Sequence, residues 1–416
     1  MALAEGVETE EELRMVIHLG IDLIQGYYTA RPMEKIVKTV EPSVREQIIQ
    51  INQAEEETRN NSIYTAGREI RIMLSVLRQN GSRLIKITNG QVTYRDVTIV
   101  GAPGLEPFAC IEIEDGYRGQ ITLETCSLIG KKKPASIIIG HGCDVTLVLK
   151  GENLLEGGGI LVPKDSSLYI EGDGNLAINV NSLDGFGIGN DSGSGHGDLR
   201  FDQDGAIEIA LNTTKGTAIG SGLGGTINIQ KGSYLIRLSG QECVGIGSFE
   251  GTIEPVITSC AIEIQSTALS VVGIGSISGN ATIMIERSSF VGVFTGNDVV
   301  ILGTRSSDNT AINIYNTNVT VSLNCRSGVV FGSFQAKPTD IVIDYASVNI
   351  NCEGKTAAIF RGLDERVRIN ITSSHIEGKV RTELNVPGGV QRMQFNLIHS
   401  SSRLDMNGHM IVQDVE

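Results

Sequence analysis

The chain of 416 residues contains no tryptophan, and aromatic residues make up only 5% of it. That poverty argues against a binding groove built on rows of aromatic platforms. Basic residues are also scarce: 34 Lys and Arg stand against 48 Asp and Glu, for a net charge of −14. Such a surface repels phosphate backbones, so a nucleic-acid polymer is not expected as a partner. The single basic run, Lys131-Lys132-Lys133, reads as a solvated loop. No run of 18 apolar residues occurs, so no membrane segment is expected in this chain. The N-terminus carries Glu5, Glu8 and Glu10 to Glu12 rather than a basic segment followed by an apolar one, which is not the pattern of a secretory signal. No Cys-X-X-Cys pair exists among the seven cysteines, so a zinc site is not expected. These cysteines sit in Val/Ile-rich runs and read as buried, reduced thiols, which favours the cytoplasm.

What the chain has in excess is glycine, 50 residues without a Gly-X-Y period. Much of it falls in a recurrent step: Gly187-Ile188-Gly189, Ala218-Ile219-Gly220, Gly245-Ile246-Gly247, Gly273-Ile274-Gly275, Ile301-Leu302-Gly303, Val330-Phe331-Gly332 and Phe360-Arg361-Gly362. From Gly189 to Gly362 the final glycines recur at a nearly constant interval, the signature of a repeat architecture. Between them lie alternating runs such as Thr282-Ile283-Met284-Ile285 and Val319-Thr320-Val321-Ser322-Leu323. Three short strands in about 28 residues predict one coil of a single-stranded parallel β-helix, with inward Ile, Val and Cys stacked between coils. A β-sandwich would alternate too, but would not hold one anchor at nearly fixed intervals. Less regular sequence from Leu84 to Val180 is expected to add four coils, with strands at Ala109 to Ile113, Ile137 to Ile139 and Leu168 to Ile170.

The sequence ahead of Leu84 differs. Residues 1–33 read as strand, helix, strand, with Thr9 and Glu12 spaced as a capping box and an acidic first helical turn. Helical spacing runs from Glu34 to about Glu57, interrupted by Pro42. A second helix, Thr65 to Gln79, is expected to cap the exposed end of the stack. The expected division is therefore 1–33, a helical linker and cap at 34–81, and the β-helix at 82–416.

Two stretches carry a resemblance. "LAEGVET" (Leu3 to Thr9) followed by "GIDLIQGYYTARPM" (Gly20 to Met33) resembles the C-terminal end of the EAL family, (β/α)8-type barrels that hydrolyse or bind cyclic di-GMP in bacteria. The resemblance covers residues 1–33, roughly the last two barrel strands. It implies that Glu5 corresponds to the acidic residue near a metal-activated water, Gln25 to the glutamine closing that site, and Glu8 to a nucleotide contact. The intact family site takes Mg or Mn; the Glu-Ala-Leu signature, the remaining metal ligands and the lysine have no counterpart here. Asp344, Asp364 and Glu365 match none of the family's motifs. As it stands the chain is expected neither to bind nor to cut cyclic di-GMP; of two explanations, the tail of a longer signalling protein or the remnant of a decayed barrel, the first is favoured, with the β-helix as a sensory or protein-interaction module. The second stretch, from His141 to Val180 together with the repeated "GIGS", looks like the β-helix modules of bacterial surface and carbohydrate-binding-type proteins, over about residues 85 to 380. It leaves a second reading open: a stand-alone scaffold for a protein or glycan.

A third reading is a polysaccharide lyase or hydrolase. Its candidate site is the stretch Asn190 to Gly205, with Asp191, His196, Asp198, Asp202 and Asp204 as possible metal or acid–base groups. The spacing is not that of an EF-hand, and a solvated excursion between coils is the plainer reading. His18, His141, His375, His399 and His409 are isolated in sequence, which points to ordinary surface or packing roles.

Overall fold

The computed structural model describes residues 3–18, 23–31, 40–60, 63–66, 69–79, 84–88, 96–104, 106–130, 134–336, 338–361, 367–383, 394–406 and 409–415. The Lys131-Lys132-Lys133 run and residues 364–365 lie outside them.

The N-terminal segment is the expected β-α-β unit. Strand β1 (Leu3–Glu5) pairs in parallel with β2 (Leu23–Gln25), so that Glu5 stands directly beside Gln25. Between them helix α1 (Glu10–His18) opens on a capping box. The Thr9 N–H donates to the Glu12 carboxylate (3.0 Å), and the Glu12 N–H donates to Thr9 Oγ1 (3.2 Å). The Glu8 N–H donates to the same carboxylate, and these backbone donors hold Glu12 below the ordinary carboxylate range. Helix α2 (Pro42–Asn60) begins at Pro42, and residues 34–39 of the expected helical stretch lie outside the described residues. Pro42 lacks the N–H that a first helical residue would leave unpaired, and the Glu41 carbonyl accepts the first intrahelical bond from Arg45. Ile48 and Ile51 of α2 pack with Val7 and Leu13 in a small core of their own.

The expected helix Thr65 to Gln79 is a hairpin followed by a short helix. Strands β3 (Ile63–Ala66) and β4 (Glu69–Met73) pair antiparallel, and α3 covers Leu74–Gln79. The β-branched alternation Ile70-Arg71-Ile72 is a strand pattern, and β4 continues it by pairing in parallel with Val97–Val100. Leu74 and Leu77 of α3 are buried in the main core at its first coils.

From there the chain is a right-handed parallel β-solenoid. One inward column records its construction: Ile85, Ile111, Ile137, Ile160, Ile188, Ile219, Ile246, Ile274, Leu302, Phe331 and Phe360 are successive register partners. The steps along this column are uneven as far as Ile219, shortest from Ile137 to Ile160, and nearly constant beyond it. The coils that precede the first glycine anchor therefore stack in the same frame, with shorter corners.

Beside this column stand the anchor glycines. Gly189, Gly220, Gly247, Gly275, Gly303 and Gly332 pair in order, all with φ between +121° and +144°. A Cβ on any of them would collide with the carbonyl oxygen of the next coil, which is why the period is written in glycine. The final rung is Arg361 rather than the expected Gly362, which lies outside the described residues. The anchor strands are apolar on both faces because both are covered: Val244, Val272 and Val300 point outward into a cluster with Phe249 and Ile277 from the following loops. The seven cysteines are free and buried, as expected from their apolar surroundings.

A second periodic device turns the first strand of a coil into the second. Thr125, Ser259, Arg287, Asn316, Tyr345, Ser373 and His399 are all left-handed, with φ between +46° and +57°. Each corner N–H from Arg287 to Ser373 donates to a carbonyl of the following coil at 2.9–3.0 Å, so the ladder holds the conformation. The next residue inward carries a hydroxyl in most of these coils. Ser288, Thr317, Ser374 and Ser400 are buried and donate to the carbonyl two residues before them at 2.7–2.8 Å. Each also accepts an N–H from the coil before it, as Ser374 Oγ does from Ala346 at 3.0 Å.

Candidate functional site

Three places were singled out by sequence or by shape. At the first, Glu5, Glu8 and Gln25 are exposed, with Glu5 and Gln25 at the C-terminal ends of paired parallel strands. Two exposed carboxylates and an amide do not form a divalent-metal site, which takes several oxygen ligands converging on one point. No step involving Mg or Mn is derived from them.

At the second, the structure separates the sequence's candidates. Asp191 Oδ1 accepts the Gly193 N–H (3.0 Å) in a loop, whereas Asp198 and Asp202 lie on the strand Asp198–Ser221. Four residues of extended chain hold those two about 13 Å apart, while ligands of one calcium ion sit about 2.3–2.6 Å from it. Each carboxylate instead has its own partner: Asp198 takes Arg200 Nη2 (2.7 Å), Asp202 takes the Tyr169 hydroxyl (3.3 Å), and Asp204 pairs with Lys231. Among the described residues no group of three or more His, Cys, Asp or Glu side chains converges. His196 is buried, with Nδ1 bonded to the Gly197 carbonyl at 2.7 Å. Burial pushes its pKa down to about 4, with the Gly197 carbonyl and Asp198 opposing that shift.

The third place is a groove of about 650 Å³ that crosses successive coils between Glu156 and Thr295. One wall is the outward column Glu156, Asn179, Ala210, Arg237, Gln265, Val293, each the register partner of the next. The other wall begins with the partnered Asn181, Asn212 and Ser239 and continues through Thr267 and Thr295. Between the walls run Val180, Leu211 and Leu238, whose side chains are buried in the main core. Neighbouring rungs bond to each other: Asn179 Nδ2 to Glu156 (3.0 Å), Asn212 Nδ2 to Asn181 Oδ1 (3.5 Å), Ser239 Oγ to Asn212 Oδ1 (3.3 Å). Each amide carries two donors and a two-lone-pair acceptor, so one ladder bond leaves capacity for a ligand. The charged lining groups are Glu156 and Arg237, and Arg237 is neutralised by Glu208 at 3.1 Å.

No residue of this groove was singled out as a site from the sequence. Alternating Asn, Ser and Thr on a strand reads as an ordinary solvated face; only the register between successive coils lines them up.

No protein-family model matches the chain, and comparison with curated proteins and with solved structures found no match. Among the described residues no helix is long and apolar enough to cross a membrane.

Proposed function

We propose that the solenoid is a binding scaffold whose ligand is an extended, uncharged glycan lying along the coil-crossing groove. The observation that carries this reading is the column of amides and hydroxyls Asn181, Asn212, Ser239, Thr267 and Thr295, one per coil, facing a second column that includes Asn179 and Gln265. Hydroxyls at a regular spacing along a polymer meet donors and acceptors at a regular spacing along the groove, about 4.8 Å per rung. A protein partner is less well matched, because interface hot spots are enriched in Trp, Tyr and Arg and poor in Ser and Thr. The role is binding rather than cleavage: Glu156 is the one carboxylate lining the groove among the described residues, and glycoside hydrolysis commonly takes a pair. The test is affinity electrophoresis of the full chain through gels holding neutral glucans, xylans, mannans or galactans. Retardation by at least one polymer, relieved in Asn212→Ala/Thr267→Ala, is expected; free migration through all four overturns the proposal.

A second reading concerns residues 3–31 alone. The parallel pairing that sets Glu5 beside Gln25 supports descent of this segment from the closing edge of an EAL barrel. On that reading cyclic di-GMP and its metal belong to an intact parent domain, with the solenoid as accessory module. A reading frame continuing upstream of Met1 into a Glu-Ala-Leu signature supports the intact parent, and an in-frame stop directly upstream overturns it in favour of a decayed remnant.

A further inference from the structure

We propose that a second groove, around Tyr345, holds a single sugar ring against the face of that tyrosine; the ligand class rests on the glycan reading above, whereas the site is separate from the coil-crossing groove. The groove encloses about 600 Å³ at the left-handed corners of the last coils.

Tyr345 is held at φ +50°, a region that costs little for Gly or Asn and is a genuine outlier for a bulky side chain. Neighbouring corners carry Asn316, Ser373 and His399. The corner ladder holds this φ as it does in the other coils, but the tyrosine side chain adds little packing of its own, because Tyr345 is 69% exposed. An exposed aromatic on a backbone that disfavours it is the kind of outlier from which a functional hypothesis properly starts.

The surroundings define the ligand. At the tyrosine the line of buried hydroxyls is interrupted: where the coils on either side have Thr317 and Ser374, this coil has Ala346, buried in the main core. Across the groove runs the column Asn318, Ser347, His375, Ser401, each the register partner of the next. His375 Nδ1 and Ser401 Oγ lie 2.7 Å apart and Nε2 lies 3.6 Å from the Glu377 carboxylate, which together orient the imidazole on that wall. Asn316 and Ser373 flank the tyrosine on its own column, about 4.8 Å to either side. Among the described residues no Lys, Arg, Asp or Glu lines the groove. A flat apolar face with an amide, hydroxyls and an imidazole around it suits a pyranose ring, whose C–H face lies on an aromatic surface while its hydroxyls reach outward. An anionic ligand finds no Lys or Arg along this lining, and a quaternary ammonium would find a single ring in place of an aromatic cage.

The probes are methyl glycosides of gluco, xylo, manno and galacto configuration, one ring each, presented to the full chain and read by saturation-transfer NMR. Saturation of the ring C–H protons is expected for at least one of them. Tyr345→Asn, which suits the backbone, should lower the affinity about tenfold without lowering the urea midpoint. Tyr345→Phe and Asn212→Ala/Thr267→Ala should leave it within about twofold. Tyr345→Gly serves as a second backbone-compatible variant. Binding unchanged in Tyr345→Asn, or displacement by choline in place of a glycoside, overturns the proposal. So does silence from all four glycosides while a polymer still binds, which leaves the coil-crossing groove standing. Silence from both glycosides and polymers overturns both.

Discussion

His196 makes the stability of the solenoid sensitive to mild acid. Its imidazole is 1% exposed, and it packs against Gly225, where a Cβ would collide with the ring. Because Nδ1 faces the Gly197 carbonyl it carries the proton, leaving Nε2 as a lone pair without a partner among the described residues. Protonating Nε2 would create a buried charge, and burial lowers the pKa from the ordinary 6.5 to about 4. The unfolded chain takes up this proton below pH 6.5, the folded chain only below about 4. The associated stability is therefore fully present above pH 6.5 and is lost as the pH falls toward 4. A shift of this size corresponds to about 3 kcal/mol, most of it expressed by pH 4.5. His196→Gln keeps an amide in place of the ring and cannot titrate. Urea unfolding followed by circular dichroism at pH 7 and pH 4.5 separates the histidine from the carboxylates, which both proteins share. Wild type should lose about 2–3 kcal/mol more than His196→Gln over that interval. Parallel losses in the two proteins would refute the reasoning.

Gly247→Ala places a Cβ against the Gly275 carbonyl at φ +144°, so it should destabilise by at least about 1–3 kcal/mol from the backbone alone, measured by urea unfolding. Ser374→Ala leaves the Ala346 N–H without its acceptor inside the corner ladder and should cost about 1–3 kcal/mol; Ser374→Thr, the residue used at Thr317, should recover most of it. Burial raises the Cys126, Cys260 and Cys352 thiols to about 12, so these residues should stay unalkylated by iodoacetamide at pH 8 in the native chain and react in urea, as read by mass spectrometry.

The glycine anchors made the solenoid legible because one physical requirement, a close carbonyl at positive φ, recurs in every coil from Gly189 to Gly332. The earlier coils were harder to phase: Ile111, Ile137 and Ile160 belong to the same column, but their corners are shorter and carry no matching glycine. Arg361 misled for the opposite reason, since a neighbouring Gly362 drew the frame one residue too far. The expected helix Thr65 to Gln79 failed because apolar residues at Ile70, Ile72 and Met73 satisfy both a helical and an alternating pattern. Pairing of β4 with Val97–Val100 decides between them. The β-α-β unit and its capping box lie within one short segment and were readable residue by residue. Neither groove could be read that way. His375, His399 and Tyr345 are dispersed in sequence, and they meet only because the corners of successive coils are stacked. The scarcity of aromatic residues still holds at the coil-crossing groove, whose described lining has none; the exception is one ring, not a row.

A glycan lying along the solenoid axis, as proposed, must bind with an affinity that depends on its length. The wall from Glu156 to Val293 has six rungs, spanning roughly 24 Å. The direct measurement is isothermal titration of a size series of the oligosaccharide whose polymer retards the chain. Affinity that climbs with each added residue and levels off once the oligomer spans about 24 Å is the predicted result. Affinity independent of length from the disaccharide upward would contradict it.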